Sequence, residues 1–144
     1  MGNIYEMIWA DALHKTKSKN RNIRNKDLIW DNLLFLSVIT ALNFATIIGW
    51  ISYYFMGYVY TFELKLIMPD TLVDKIFSVG IQLYIPSVVL NYFSIFFNNK
   101  HLKIMEKYSS REGKIVLTYI FTSIGIFIIS AIVIGIFIRS GIVL

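Results

Sequence analysis

Residues 33–55, 77–97 and 115–138 form three long apolar stretches, and none of them contains Asp, Glu, Lys, Arg or His. A helix rising 1.5 Å per residue needs about 20 such residues to cross a hydrocarbon layer of about 30 Å. Each stretch is long enough. Hydrophobic residues make up 56% of the chain and mean hydropathy is +0.61, against roughly 45–50% apolar usage in soluble domains. The expected fold is all-α: one integral membrane domain over residues 1–144, with three transmembrane helices and an N-terminal amphipathic helix. The three spans occupy about half of the chain, which leaves no room for a separate soluble domain.

The N-terminal helix is expected over residues 3–14. Asn3 followed three positions later by Glu6 is a capping-box pattern. Ile4, Tyr5, Ile8, Trp9, Ala12 and Leu13 fall on one face, with Glu6, Ala10 and His14 opposite. A stripe carrying Trp and Tyr suits the headgroup region; it suits packing on the membrane bundle equally well.

Residues 15–32 read as a basic linker. Lys15, Lys17, Lys19, Arg21, Arg24 and Lys26 precede its first acid, Asp27. Such a cluster beside a membrane helix is expected to contact anionic lipid headgroups, at about 1 kcal/mol per charge. Insertion itself calls for juxtamembrane charge, so a nucleic-acid partner is not expected. Lys100, Lys103, Lys107, Arg111 and Lys114 fall between the second and third spans, whereas the opposite side carries only Lys65, Lys75 and Arg139. The positive-inside rule therefore predicts a cytoplasmic N-terminus and a C-terminus on the outer side. On that topology 56–76 is an outer loop, 98–114 a cytoplasmic loop and 139–144 an outer tail.

Tyr53, Tyr54, Tyr58 and Tyr60 read as an aromatic belt at the exit of the first span. Pro69-Asp70-Thr71 reads as a turn, and Thr71 with Asp74 as a cap for the second span. In the cytoplasmic loop Leu102, Ile104, Met105 and Tyr108 alternate with charges, which predicts a short surface helix ending before Gly113.

Because lipid tails are as apolar as Leu, membrane helices gain by close backbone approach, which small residues at every fourth position encode. Ser37, Ala41, Ala45 and Gly49 make such a ladder on the first span, with Asn43 on the adjoining face. Ser87, Asn91 and Ser94 share a face of the second span, where Pro86 removes a backbone donor. Ala131 and Gly135 make a close-contact pair on the third. These positions are the expected helix contacts, with Asn43 bonding to Asn91 or Gln82. They serve either a partner or the protein's own bundle.

Catalytic, metal and cofactor sites are not expected. The chain has no Cys, which excludes disulfides, thiolate metal sites and a cysteine nucleophile. His14 and His101 lie in different segments, away from metal-ligand spacing. Glu63, Asp70 and Asp74 fall on the outer side but are diluted by Lys65 and Lys75. The spans hold no ionisable group of the kind that proton relays use. Position 6 is Glu where a myristoylation motif wants Ser or Thr, and the first apolar run begins too late for a cleaved signal peptide.

Pro86, Asn91-Tyr92-Phe93, the basic residues that follow, Lys103-Ile104, Glu106-Lys107-Tyr108 and a final span opening with a Tyr resemble a group of small Ile- and Tyr-rich membrane proteins of Bacteroidetes-type bacteria. The likeness, which an amphipathic start such as "IYEMIWADAL" shares, covers about half of the chain. It implies a bacterial inner membrane. In size, basicity and three-span layout the chain is also similar to immunity proteins against pore-forming bacteriocins.

The functional expectation is a non-enzymatic protein acting by lateral helix contacts with another membrane protein, as an accessory subunit or an immunity-type inhibitor. The alternative is a homo-oligomeric pore or membrane-disrupting effector, for which Ser87, Asn91 and Ser94 would face the lumen. An enzyme or transporter of lipid-linked sugars, using the outer acids, ranks third.

Overall fold

The computed structural model describes residues 3–20, 22, 24–58 and 72–141. It is all-helical, with no strand among the described residues: α1 Ile4–Lys19, α2 Asn25–Met56, α3 Leu72–Asn91, α4 Lys100–Lys107 and α5 Lys114–Ser140. Three helical stretches, Asn25–Met56, Gly80–Lys107 and Lys114–Ser140, are long and apolar enough to cross a membrane. At 16 residues and with several charges, α1 falls short of a span.

Both helices bordering the basic stretch reach into it, so the segment between them is shorter than the 15–32 linker read from the sequence. Lys17 and Lys19 lie in the last turn of α1, where cations complement the carbonyl end of the helix dipole, and the Asn20 N–H donates to the Thr16 carbonyl. Asp27 lies in the first turn of α2 and pairs with Arg24 at 2.9 Å.

The chain divides into two compact units, one of residues 1–38 and 87–122 and the other of 39–86 and 123–144. In the first, Trp9 and Leu13 of α1, Leu33 and Leu36 of α2, Ile95 and Phe96 beyond α3, Ile104 of α4 and Val116 of α5 form one buried cluster. Trp9 packs edge-on against Phe96, with ring centroids 5.3 Å apart. Trp9 is 1% exposed and Leu13 fully buried, which excludes the headgroup-lying reading of α1. Ala10, expected on the outward face, is fully buried as well. Trp9 and Leu13 lie outside the three spans, and burying each stabilises by about 1.5–3 kcal/mol relative to exposure to water.

In the second unit small polar residues sit where helices meet. Ser52, Ser78, Ser123 and Ser130 are buried, as suits helix packing in an apolar solvent. A Cβ added at Gly49 would meet Ile134 Cδ1 at 3.7 Å, ordinary contact distance. Tyr53 is 1% exposed and stacks at a tilt on Phe137, 6.0 Å between centroids. It is therefore a packing residue and not part of an aromatic belt: its position on α2 faces α5, whereas Tyr54 and Tyr58 are exposed. Tyr60 and the Pro69-Asp70-Thr71 turn lie outside the described residues.

Pro86 is accommodated inside α3. The helix then widens into a π-helical stretch, Tyr92–Phe96, where the Phe97 N–H reaches back to the Tyr92 carbonyl. Asn98 and Asn99 follow at φ 55° and 56°, left-handed values that Asn tolerates better than most residues. This double step breaks the helical run that begins in α3 and starts α4. Lys100 Nζ donates to the Ser94 carbonyl at 2.8 Å, satisfying a carbonyl at the end of the helix.

Candidate functional site

The densest polar arrangement surrounds α1. Asp11 is 1% exposed and its carboxylate accepts four backbone hydrogen bonds. Oδ1 takes the N–H groups of Arg111 (2.8 Å) and Gly113 (3.0 Å), and Oδ2 those of Ile115 (2.9 Å) and Val116 (3.3 Å). An isolated helix start leaves its first N–H groups without partners. Here Lys114 N–H donates to the Arg111 carbonyl and Leu117 N–H to the Gly113 carbonyl, both at 3.0 Å. Asp11 takes the two between them, so a residue about 100 positions away performs the work of an N-cap. Burial works to raise the Asp11 pKa, but the four N–H donors outweigh it and hold the carboxyl below its ordinary range.

One turn along α1, His14 Nε2 lies 3.0 Å from the Met105 carbonyl and 3.1 Å from that of Tyr108. Both partners are acceptors, so Nε2 carries the proton in this arrangement. His14 thus closes the end of α4 while Asp11 opens α5. At the start of α1, Asn3 Oδ1 accepts the Tyr5 N–H at 3.0 Å, as the sequence predicts for a cap. The expected return bond from Glu6 is replaced by a bridge. Tyr108 OH accepts the Asn3 N–H (3.1 Å) and donates to Glu6 Oε2 (3.2 Å). The same oxygen accepts from Lys107 Nζ at 3.1 Å, and that ammonium holds the Glu6 carboxyl below its usual range.

Two further contacts tie α1 to the long helices. Tyr5 OH donates to Asn91 Oδ1, and Asn91 Nδ2 donates to Ser37 Oγ at 2.9 Å. Burial pushes the Tyr5 phenol up, which keeps it a donor. The Thr16 hydroxyl lies 3.1 Å from Asn32 Oδ1, and Asn32 is itself buried.

Among the expected helix contacts, the structure therefore brings Ser37 and Asn91 together. Ser87 is fully buried and Ser94 half-buried. Ala41, Asn43 and Ala45 are half-buried along α2, and Gly49 is buried against Ile134. Ala131 and Gly135 are exposed on α5, and nothing lies within 4 Å of a Cβ built at Gly135. With Ser87 and Asn91 wholly buried in the chain, that polar stripe does not face outward as lumen-lining residues would. Of the expected lipid contacts, Lys17, Lys19, Arg24 and Lys26 are exposed, Lys15 is half-buried beside Gly113, and Arg21 lies outside the described residues. So do Glu63 and Asp70 and the side chain of Asp74. No group of three or more His, Cys, Asp or Glu residues gathers at metal-binding distance among the described residues.

The sequence reading missed Asp11, Tyr5 and the partners of Glu6 and His14. One signal was present: Asp11 is the lone acid in "IWADAL", flanked by apolar and Ala positions on every side. A charge embedded in a packing surface requires a specific partner. No protein-family model matches the chain, and no curated protein or solved structure is significantly similar to it.

Proposed function

We propose that this is a non-enzymatic polytopic protein of a bacterial inner membrane, acting through lateral helix contacts with another membrane protein as an accessory subunit or an immunity-type inhibitor. The observation that carries the reading is the exposure of Ala131 and Gly135 on α5. Small residues four apart let two backbones approach closely, and this pair is left unused by the protein's own packing while Ser37 and Gly49 are consumed within it. Ile128, Ile132 and Ile136, each at least half exposed, flank the pair. The bias of Lys and Arg toward the N-terminal side of the first span and the segment between the second and third supports a cytoplasmic N-terminus.

The test is extraction into native nanodiscs followed by native mass spectrometry, comparing the natural protein with Ala131→Leu and Gly135→Leu. A stoichiometric second membrane protein that both variants lose supports the reading. Unchanged copurification removes α5 as the contact face. A homo-oligomer of several copies turns the reading to a pore, whose lumen would then have to be lined by residues other than Ser87 and Asn91.

A further inference from the structure

Beside the Asp11 cap, α1 and the start of α5 enclose a groove of about 430 Å³. Its walls are apolar, from Ile4 and Ile8 on one side and Ile115 and Tyr119 on the other. Ile4 is 73% exposed, an apolar side chain held in the open at the groove's edge. Arg111 and Lys114 stand at one end, and from there the groove follows α5 past Thr118 to Thr122. Eight residues of helix separate Lys114 from Thr122, about 12 Å at 1.5 Å per residue. The groove therefore begins at two cations on the polar boundary of a span and descends along apolar wall into the depth that acyl chains occupy.

The cations are available. The Arg111 side chain makes no ion pair among the described residues. Lys114 Nζ is 4.0 Å from Glu112, with both side chains more than four-fifths exposed, a contact of little worth in competition with a phosphate. Arg111 is further fixed in place because its backbone N–H is held by Asp11. A guanidinium and an ammonium together match a phosphodiester. A bare phosphate would use the cations and leave the apolar walls wet, and a zwitterionic lipid would bring its own ammonium up against Arg111 and Lys114 along with its phosphodiester.

We propose that this groove is a binding site for one anionic phospholipid, with its phosphodiester between Arg111 and Lys114 and one acyl chain laid along α5 between Ile4 and Tyr119. Of the basic stretch 15–26, Lys15 lies beside Gly113 next to the site, whereas Lys17, Lys19 and Lys26 are exposed and do not line the groove. It does not depend on what α5 contacts further along the span.

Lipid binding to the purified full chain in mild detergent tests this, with native mass spectrometry counting retained dioleoylphosphatidylglycerol against dioleoylphosphatidylcholine. The natural protein retains one phosphatidylglycerol, about tenfold or more tighter than phosphatidylcholine. The Arg111→Gln/Lys114→Gln variant loses that preference; it keeps the backbone N–H that Asp11 needs, and an unchanged thermal midpoint verifies its folding. Thr118→Trp, placed on an exposed position inside the groove, weakens retention with both cations intact. A Lys17→Gln/Lys19→Gln/Lys26→Gln variant retains the lipid. Loss in this last variant with retention in the first overturns the proposal, as does indifference to Thr118→Trp. Soluble glycerol phosphate competing as well as the lipid would make the groove a free-phosphate site and overturn it too.

Discussion

Asp11 and His14, one turn apart on α1, close two helix ends of opposite polarity: the carboxylate caps the start of α5 and the imidazole N–H caps the end of α4. Each matches the sign of the helix end it meets, anion to N-terminus and donor to C-terminus. The connection 108–113 is thereby held from both sides by one short helix.

Replacing Asp11 by Asn removes the charge and turns an NH₂ group toward backbone donors. The expected loss is about 2–3 kcal/mol, from hydrogen bonds to a charged group and a forfeited cap. It is read as a lowered unfolding midpoint in mild detergent, with faster proteolysis in 108–113. Asp27→Asn, at an exposed pair, leaves both unchanged.

The same carboxylate sets an acid limit. Its pKa is lowered on folding, as is that of Glu6, so their stabilisation is complete above the ordinary carboxyl value of about 4. It is lost as pH falls from there through the folded values. Midpoints measured from pH 7 down to 3 decline below about pH 4 in the natural protein. In Asp11→Asn that decline is shallower.

Gly113 has φ +80° and its N–H is one of the Asp11 donors, while a Cβ there would run into the Lys15 side chain. Gly113→Ala is expected to cost about 1–2 kcal/mol from the left-handed conformation alone. Adding Lys15→Ala removes the collision but leaves that part, so the double variant recovers only partly in a thermal melt.

Trp9→Ala empties the centre of the first unit and is expected to cost about 3–5 kcal/mol. Trp30, 44% exposed, gives less than about 0.5 kcal/mol when replaced by Ala. Equal effects would place α1 away from the core.

Ser37 and Asn91 should show coupling in a double-mutant cycle, about 0.6–2 kcal/mol for a hydrogen bond between membrane helices. Single and double Ala variants compared by denaturant unfolding give the value. Additive effects would break the assigned contact.

Long-period signals were the legible ones. Three apolar runs gave the spans because length and charge exclusion are properties of a segment and need no knowledge of neighbours, and the capping residue Asn3 was readable because its partner, Tyr5 N–H, lies two residues away. The Tyr108 bridge to Glu6, the four donors of Asp11 and the burial of Tyr53 on Phe137 were not readable. Each depends on which helix arrives at that face, from up to about 100 residues downstream. Ala131 with Gly135 and Ala45 with Gly49 have the same spacing, yet the first pair is exposed while Ala45 is half-buried and Gly49 buried; spacing encodes the capacity for close approach and not the identity of the neighbour.

The distance in sequence between Asp11 and its donors also orders events in time. A ribosome adding about 5–20 residues per second delivers Arg111 to Val116 about 5–20 s after Asp11. Through that interval the α1 carboxylate has none of its donors, and Trp9 and Leu13 have only the α2 part of their cluster. The first helix synthesised is therefore among the last to be locked, and its docking reports that the third span has been delivered.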